Sequence, residues 1–177
     1  MIVVLRTLVV VLAVLLSAAC AGPSAAPAPP PPAADDVGFA AAMTPHHEQA
    51  LELSALVRGR TSDPEVTDLA FRIDREQVEE VGQLQGFLNL RGGVPTMPMT
   101  GMAGMADAAT LQQLRASSGP AFDRLWLQTM TAHHEGALTM ARDYLAGPPG
   151  VLTEFARTLL RSQQLEIDRM RAALARP

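Results

Sequence analysis

The chain has 177 residues, of which 48% are hydrophobic and 18% are charged. That length suffices for one domain of ordinary size and excludes a multidomain enzyme. The 14 basic and 18 acidic residues give a formal charge of −4, and the basic residues form no cluster, so we expect no nucleic-acid partner.

Residues 1–19 have the pattern of an export signal. Arg6 supplies the positive end, a ten-residue apolar segment follows, and small residues precede Cys20. The apolar segment is too short for a membrane-spanning helix. Cys20 is the only cysteine of the chain, so the exported domain has no thiol for a disulfide bond or for thiolate catalysis.

The residues around Cys20 predict how the protein is anchored. The segment from Leu16 to Cys20 resembles a bacterial lipobox, which implies that Cys20 is lipidated and holds the protein at the outer face of a bacterial membrane. Ser17 stands where the lipobox normally has a large aliphatic residue, so ordinary signal cleavage and secretion stay open as the alternative. Six prolines in residues 20–35 predict a semi-rigid, extended spacer between the anchor and the domain.

The domain itself, residues 36–177, contains an internal repeat. The run MTPHHEQAL that begins at Met43 returns 87 residues later as MTAHHEGAL, beginning at Met130. A second segment, QxxEV from Gln77, returns 86 residues later as QxxEI from Gln163. We therefore predict a duplicated helical hairpin. The predicted boundaries are 36–90 for repeat one, 91–120 for a Met-rich connection and 121–177 for repeat two.

Apolar residues in each repeat recur at spacings of three and four, as on one face of a helix. Asp63 and Pro64 mark the start of the second helix, and the turn residues 147–150 separate the last two. No segment shows the alternation typical of a strand. The pattern predicts an all-α, up-down four-helix bundle made of two repeated hairpins.

All four histidines of the chain lie in the two copies of the motif, three and four residues after a methionine. Each copy therefore offers one thioether and two imidazoles on one side of a helix. Core histidines without a metal, with the methionines as filler, are the alternative. Because every histidine is used in this repeated pattern, we favour metal binding. The candidate ligands are Met43, His46, His47, Met130, His133 and His134.

Polar residues on the second helix of each repeat are expected beside the histidines. Gln77 and Gln163 stand at apolar positions, at the height where an antiparallel hairpin brings them opposite His46 and His133. We expect each glutamine to hydrogen-bond an imidazole and to fix its tautomer, as residues around metal ligands do. The flanking carboxylates are Glu80 and Glu166.

The donor types indicate a soft metal. Di-iron bundles of the ferritin type place a glutamate three residues before the histidine, whereas Met43 and Met130 hold that place here. Thioether with imidazole favours Cu(I) or Ag(I) over iron, manganese or magnesium, although imidazole also binds Cu(II) and zinc. The connection adds four methionines that either capture Cu(I) or only cover apolar surface. These are Met97, Met99, Met102 and Met105.

At these residues the sequence resembles the bacterial domain-of-unknown-function family 305 (DUF305), whose exported members are duplicated hairpins with Met-x-x-His-His and Gln-x-x-Glu-Ile motifs. The likeness covers about residues 36–177. Because the family includes periplasmic proteins that bind copper and silver, the resemblance implies a ferritin-like four-helix bundle with a role in metal resistance. It adds Met140 to the ligands. Leu53 stands at the matching place in repeat one, so the first site is expected to be weaker.

We therefore expect a cell-envelope protein that binds, sequesters or relays Cu(I) outside the cytoplasm without catalysis. A copper-dependent or di-metal oxidase is the enzymatic alternative, which is disfavoured by the absence of Glu-x-x-His pairs and of a Ser/His/Asp or Cys/His set. A metal-free structural or adaptor bundle is the third reading. Relay of the metal requires a delivery partner, which the sequence does not identify.

Overall fold

The chain folds into a bundle of helices. The computed structural model describes residues 34–93 and 102–176, and these ranges contain helices but no strand, as predicted. None of the helices in these ranges is both long and apolar enough to cross a membrane. In chain order they are α1 (Ala34–Ala55), α2 (Pro64–Asn89), α3 (Ala108–Ala116), α4 (Gly119–Leu145) and α5 (Thr153–Leu174).

Four long helices form two hairpins, α1 with α2 and α4 with α5. The hairpins pack on each other mainly through α1 and α4, whereas α2 and α5 touch at few points. The helices that carry the two histidine motifs therefore face each other at the centre of the bundle. A cleft separates α2 from α5 on the opposite side.

The predicted apolar stripes form the core of the bundle. The indole Nε1 of Trp126 on α4 donates to the backbone carbonyl of Leu53 on α1 at 2.9 Å, which ties the two hairpins together. Two apolar residues at this three-and-four spacing, Met140 on α4 and Leu174 on α5, are only partly buried. On α2, the buried residues are Val66, Leu69, Ala70, Ile73, Gln77, Glu80, Val81, Leu84, Phe87 and Leu88.

Asp63 begins α2 as its cap. Its Oδ1 accepts hydrogen bonds from the backbone N–H groups of Glu65, at 2.8 Å, and Val66, at 3.4 Å. Pro64 occupies the first helical position, where a missing N–H has no cost. The start predicted at these residues is confirmed.

A buried aspartate fixes the start of α1 to the turn between α4 and α5. Asp36 is fully buried and accepts hydrogen bonds from the Tyr144 hydroxyl and from the backbone N–H groups of Val151, at 3.0 Å, and Leu152, at 3.2 Å. Phe39 stacks on Tyr144 with the ring centroids 4.5 Å apart. These contacts set the height of α1 against α4, and hence the height at which the two motifs meet.

The connection between the hairpins contains the short helix α3, which the sequence pattern did not predict. Asp107 caps it by accepting from the backbone N–H of Thr110 at 2.7 Å. Leu114 is fully buried and fastens the helix to the core. A helix of nine residues is marginal by itself, so its stability depends on this cap and this contact.

Candidate metal centre

The histidines of the two repeats lie together in the middle of the bundle. His46 and His47 on α1 and His133 and His134 on α4 are each 0–1% exposed. The imidazole centroids of His46 and His133 are 3.9 Å apart. Within each pair the rings lie farther apart, 6.4 Å in α1 and 6.1 Å in α4. We call these four residues the histidine layer, which joins two motifs that are 87 residues apart in sequence.

The inner histidines of the layer, His46 and His133, donate to backbone carbonyls. Nε2 of His133 lies 2.9 Å from the carbonyl oxygen of His46, and Nε2 of His46 lies 3.0 Å from that of Ala103. Because a carbonyl oxygen only accepts, Nε2 is assigned the proton in both rings and Nδ1 keeps a lone pair. Both Nδ1 atoms are buried without a hydrogen-bond partner.

The outer histidines, His47 and His134, face glutamates of their own hairpins. Nε2 of His134 is hydrogen-bonded to Oε2 of Glu166 on α5 at 2.9 Å. Nε2 of His47 lies 2.8 Å from Oε2 of Glu80 on α2, yet neither atom has a hydrogen-bond partner, so the two are close without hydrogen-bond geometry. Nδ1 is buried and unpartnered in both rings. The two halves of the layer therefore differ at their outer ends.

The glutamines do not have the role predicted for them. Gln77 and Gln163 are buried, as their stripe positions require. Oε1 of Gln77 and both polar side-chain atoms of Gln163 have no hydrogen-bond partner, and the imidazoles use other partners. The prediction that the glutamines fix imidazole tautomers is wrong, because backbone carbonyls already accept from Nε2 of both inner rings. The predicted flanking glutamates lie against the outer rings instead.

Burial keeps His46, His47 and His133 neutral. Burial, reinforced by the neighbouring imidazoles, lowers the pKa of His46 to about 4 and that of His47 to about 3. The same causes hold the pKa of His133 well below its usual value. Burial, and then the charge of Glu166, raises the pKa of Glu80 to about 7. At neutral pH these three imidazoles are uncharged, which is the form that binds metal ions.

The motif methionines belong to the same interior. Met43 and Met130 are fully buried on the helices that carry the histidines, about one turn before them. Thioether and imidazole donors therefore share the core between α1 and α4. Met140 is only partly buried and lines a surface groove together with Phe39 and Tyr144.

A segment of the connection covers the histidine layer. We call residues 102–106 the strap, and its Ala103 supplies the carbonyl that accepts from His46. Gln49 on α1 holds the strap at Ala106 through two hydrogen bonds. The Gln49 amide nitrogen donates to the Ala106 carbonyl at 2.9 Å, and the Ala106 N–H donates to Oε1 of Gln49 at 2.7 Å.

Two of the four methionines predicted to capture metal lie in the strap. Met102 and Met105 are partly buried there, and Met105 lines a small cavity on α4 beside Thr129. The strap thus brings the thioether of Met105 to the helix that carries the second motif. Met97 and Met99 lie outside the residues that the structure describes.

Two glycines let the strap lie directly on α4. Gly104 has a φ of +76°, and a Cβ there would overlap the carbonyl group of Ala132. A Cβ at Gly136 would overlap the carbonyl group of Ala103. The sequence interpretation missed Gly136 and its repeat counterpart Gln49. A signal was present, because this is one of the few positions at which the two copies of the motif differ.

The histidine layer combines several types of metal-donor atom. Within residues 34–93 and 102–176, no three His, Cys, Asp or Glu side chains are grouped so that they alone hold a metal ion. The layer combines imidazole nitrogens with thioethers, and it has carboxylates only at its outer ends. Such a set is suited to soft, monovalent metal ions.

Comparisons with known proteins agree with this architecture. The chain is similar to the solved structure of a DUF305 protein from Streptomyces coelicolor that is assigned as secreted, with 39% identity, a TM-score of 0.73, and coverage of 81% of this chain and 93% of that one. A DUF305 fragment from Deinococcus radiodurans has 32% identity and a TM-score of 0.77, over 84% of this chain and 100% of that one. A comparison with curated proteins finds no match.

The chain is also similar to CopM in its Cu(I)-bound form, with 26% identity, a TM-score of 0.65, and coverage of 77% of this chain and 93% of that one. CopM has also been solved in Cu(II)-bound and Ag-bound forms. The family model described as domain of unknown function DUF305 matches residues 36–174 of the present chain. The resemblance drawn from the repeated motifs is thereby confirmed, and the chain belongs to the DUF305 family.

Proposed function

We propose that this protein binds Cu(I), and Ag(I) in its place, at the histidine layer, and that it buffers, sequesters or relays the metal without catalysis. The observation that carries the proposal is the set of four buried Nδ1 atoms, none of which has a hydrogen-bond partner. Buried polar atoms in folded proteins are almost always paired. The four imidazole nitrogens of the layer are therefore available to a metal ion.

The hydrogen bonds on the other ring nitrogens support this proposal. A ligating histidine almost always donates its second ring N–H to a carbonyl or carboxylate, which orients the ring and raises the basicity of the ligating nitrogen. His46 and His133 have carbonyl acceptors and His134 has a carboxylate acceptor, all at Nε2. In three of the four rings an acceptor at Nε2 therefore leaves the Nδ1 lone pair available for a metal.

The choice of metal rests on the sulfur donors. Met43 and Met130 are fully buried with the histidines, and thioether sulfur prefers Cu(I) and Ag(I) to harder ions. The Cu(I)-bound and Ag-bound forms of CopM support the same choice for this chain. Imidazole alone also binds zinc, so zinc is the competitor that the experiment must include.

Native mass spectrometry with Ag(I), Cu(I) and zinc tests the proposal. We expect the wild-type protein to retain Ag(I) and Cu(I), and the double variant Met43→Leu/Met130→Leu to bind both at least about tenfold more weakly while zinc binding changes little. Met170→Leu is the matched control, because Met170 is also fully buried but lies on α5 outside the motifs. Failure of the wild type to bind either soft ion would overturn the proposal, as would equal losses in the control.

The absence of catalysis is part of the proposal and has its own test. Oxygen consumption by the metal-loaded protein, supplied with Cu(I) in excess, separates a binder from a copper oxidase. We expect consumption no faster than that of Cu(I) in buffer. Repeated turnover that depends on the histidine layer would favour the oxidase.

We also propose that the domain is exported and anchored through lipidation of Cys20. The support is the signal-like pattern of residues 1–19 together with the lipobox-like segment before Cys20, all of which lie outside the described residues. Each buried CH₂ of a lipid chain contributes about 0.8 kcal/mol to membrane binding. Cys20→Ala should therefore move the protein from the membrane fraction to the soluble fraction of its host. A wild-type protein that already fractionates as soluble would show that the anchor is absent.

A further inference from the structure

The cleft between α2 and α5 leads from the solvent to the histidine layer. It has a volume of about 670 Å³, and its lining includes Glu80, whose carboxylate lies against His47. The strap covers the layer on the side of His46. The cleft is thus an open approach to the outer end of the layer in repeat one.

Carboxylates dominate the inside of this cleft. Glu76, Glu79 and Glu80 line it from α2 and Glu154 lines it from α5. Two arginines also line the cleft, but both are engaged. Arg72 donates to Asp68 at 2.8 Å, and the Arg75 guanidinium lies over the Phe71 ring, 5.9 Å from its centroid. Glu154 pairs with Arg157, but the three glutamates of α2 still outnumber the two lining arginines, so carboxylate oxygens are the more numerous charged groups in the cleft.

Glu80 is the most buried of these carboxylates, and one of its oxygens is available to bind a cation. Only 7% of the residue is exposed, and its Oε2 has no hydrogen-bond partner. The adjacent His47 is fully buried, and neither of its ring nitrogens has a hydrogen-bond partner. A carboxylate oxygen and an imidazole nitrogen 2.8 Å apart, both unsatisfied, can hold one cation between them after a small separation.

The second repeat contains a matching glutamate–histidine pair, with which this one can be compared. Glu166 matches Glu80 at the offset of 86 residues, is 9% exposed, and contacts His134 as Glu80 contacts His47. It differs in two respects, because it makes an aligned hydrogen bond and is not part of the cleft lining. The open carboxylate–imidazole pair thus belongs to repeat one.

We propose that Glu80 and Nε2 of His47, whose ring proton is then on Nδ1, form a binding site for Cu(II) at the floor of the α2–α5 cleft, with Glu76 nearer the mouth and water completing the coordination. His47 then belongs to this site, and the other three imidazoles of the layer bind Cu(I). Carboxylate and imidazole donors suit a divalent ion, whereas the thioethers of the layer suit Cu(I). Through this site, repeat one binds Cu(II) that enters by the cleft. Repeat two offers no such site, because Glu166 and His134 are hydrogen-bonded to each other. The proposal rests on the proposed metal-binding function and extends it to a second oxidation state.

Titration of the full chain with Cu(II), by calorimetry and electron paramagnetic resonance, tests the site. Glu80→Gln should raise the dissociation constant for Cu(II) by about tenfold or more and alter the Cu(II) spectrum, because it removes the anionic donor. Glu135→Gln is the control and should stay close to wild type, because Glu135 pairs with Arg171 and lies outside both the layer and the cleft lining. Binding by Glu80→Gln equal to that of wild type would overturn the proposal, and so would equal losses in both variants.

Parallel titrations with Ag(I) separate this site from the proposed function. We expect Glu80→Gln to bind Ag(I) as wild type does. If wild type binds Ag(I) but no Cu(II), the cleft site is wrong and the proposed function stands. If wild type binds neither ion, both fail.

If Glu80→Gln does not fold, Glu76→Gln decides, because Glu76 is only half-buried. Its control is Glu135→Gln, since Glu135 pairs with Arg171 and is not part of the cleft lining. Cu(II) binding weakened in Glu76→Gln alone supports the site. Equal binding by these two variants contradicts it.

Discussion

Gln49 and Gly136 occupy the same position in the two repeats, 87 residues apart, and each fixes a different part of the strap. Gln49 holds Ala106 with two hydrogen bonds. Gly136 leaves the space that the Ala103 carbonyl group fills. The repeat has therefore diverged where one copy must hold the strap and the other must make room for it, with the carbonyl that accepts from His46 between them.

Gly136→Ala should destabilise the protein although alanine is the better helix former. The added methyl group overlaps the Ala103 carbonyl, and overpacking of this kind costs about 1–3 kcal/mol. Gly82→Ala is the control, because a Cβ at Gly82 on α2 meets nothing within 4 Å and should leave stability unchanged or raise it by up to about 1 kcal/mol. Urea unfolding measures both. An increase in stability for Gly136→Ala would show that the strap does not lie on α4.

Gln49→Ala should loosen the strap. It removes two hydrogen bonds to Ala106, which amounts to about 1–3 kcal/mol of unfolding free energy. Hydrogen exchange should rise at Ala106, whose N–H donates to Gln49. Gln85→Ala, which removes a surface hydrogen bond to Glu48, is the control and should change stability by less than about 0.5 kcal/mol. Unchanged hydrogen exchange at Ala106 would show that Gln49 does not hold the strap.

The helical framework could be predicted from the sequence because its signals are local and occur twice. The three-and-four spacing on α2, the cap at Asp63 and the turn after α4 each depend on neighbouring residues, and each is found in the structure. Helix α3 was missed because its stability depends on the burial of Leu114 rather than on a long periodic pattern. Nine residues are too few to show such a pattern clearly.

Part of the histidine layer could also be predicted, because its motif is repeated. Repetition of the motif identified the histidines, and their burial in one layer follows from the packing of α1 on α4. The hydrogen-bond partners of the inner rings are backbone carbonyls, which no side-chain pattern reveals. The contact from His46 to Ala103 spans 57 residues and depends on how the connection folds back. Periodicity therefore predicted that Gln77 and Gln163 are buried but could not assign their partners.

Acidification should destabilise the metal-free protein between about pH 6.5 and pH 4. His46, His47 and His133 have lowered pKa values in the folded state, so the unfolded chain binds more protons in this window and stability falls with pH. Glu80 acts in the opposite sense, because its raised pKa of about 7 lets the folded state keep a proton between its ordinary pKa and that value. Glu76, whose pKa burial also raises, acts likewise.

The three imidazoles outweigh the carboxyl groups, so we expect the unfolding free energy to be lower at about pH 5 than at about pH 7, by on the order of 2 kcal/mol. Chemical denaturation at the two pH values measures the difference. His133→Phe removes one of the three groups and should reduce it. Equal stability of the wild type at both pH values would contradict neutral burial of the imidazoles.

Loss of the second histidine pair should weaken Cu(I) binding more than loss of the first. Met140 follows the second pair, whereas Leu53 at the matching place of repeat one offers no donor. We therefore expect His133→Phe/His134→Phe to bind Cu(I) more weakly than His46→Phe/His47→Phe. Equal losses of Cu(I) binding would show that the two motifs act as one site and that Met140 does not bind the metal. The 3.9 Å separation of the inner rings allows a single shared site.

Competitive titration of Cu(I) against a chromophoric chelator, on the wild type and on the variant with all four histidines replaced by phenylalanine, tests the central claim most directly. We predict that the wild type withdraws Cu(I) from the chelator and that the quadruple variant, shown by circular dichroism to remain helical, does not. Full Cu(I) binding by the quadruple variant would contradict the account and would point to the methionines of the connection as the binding site.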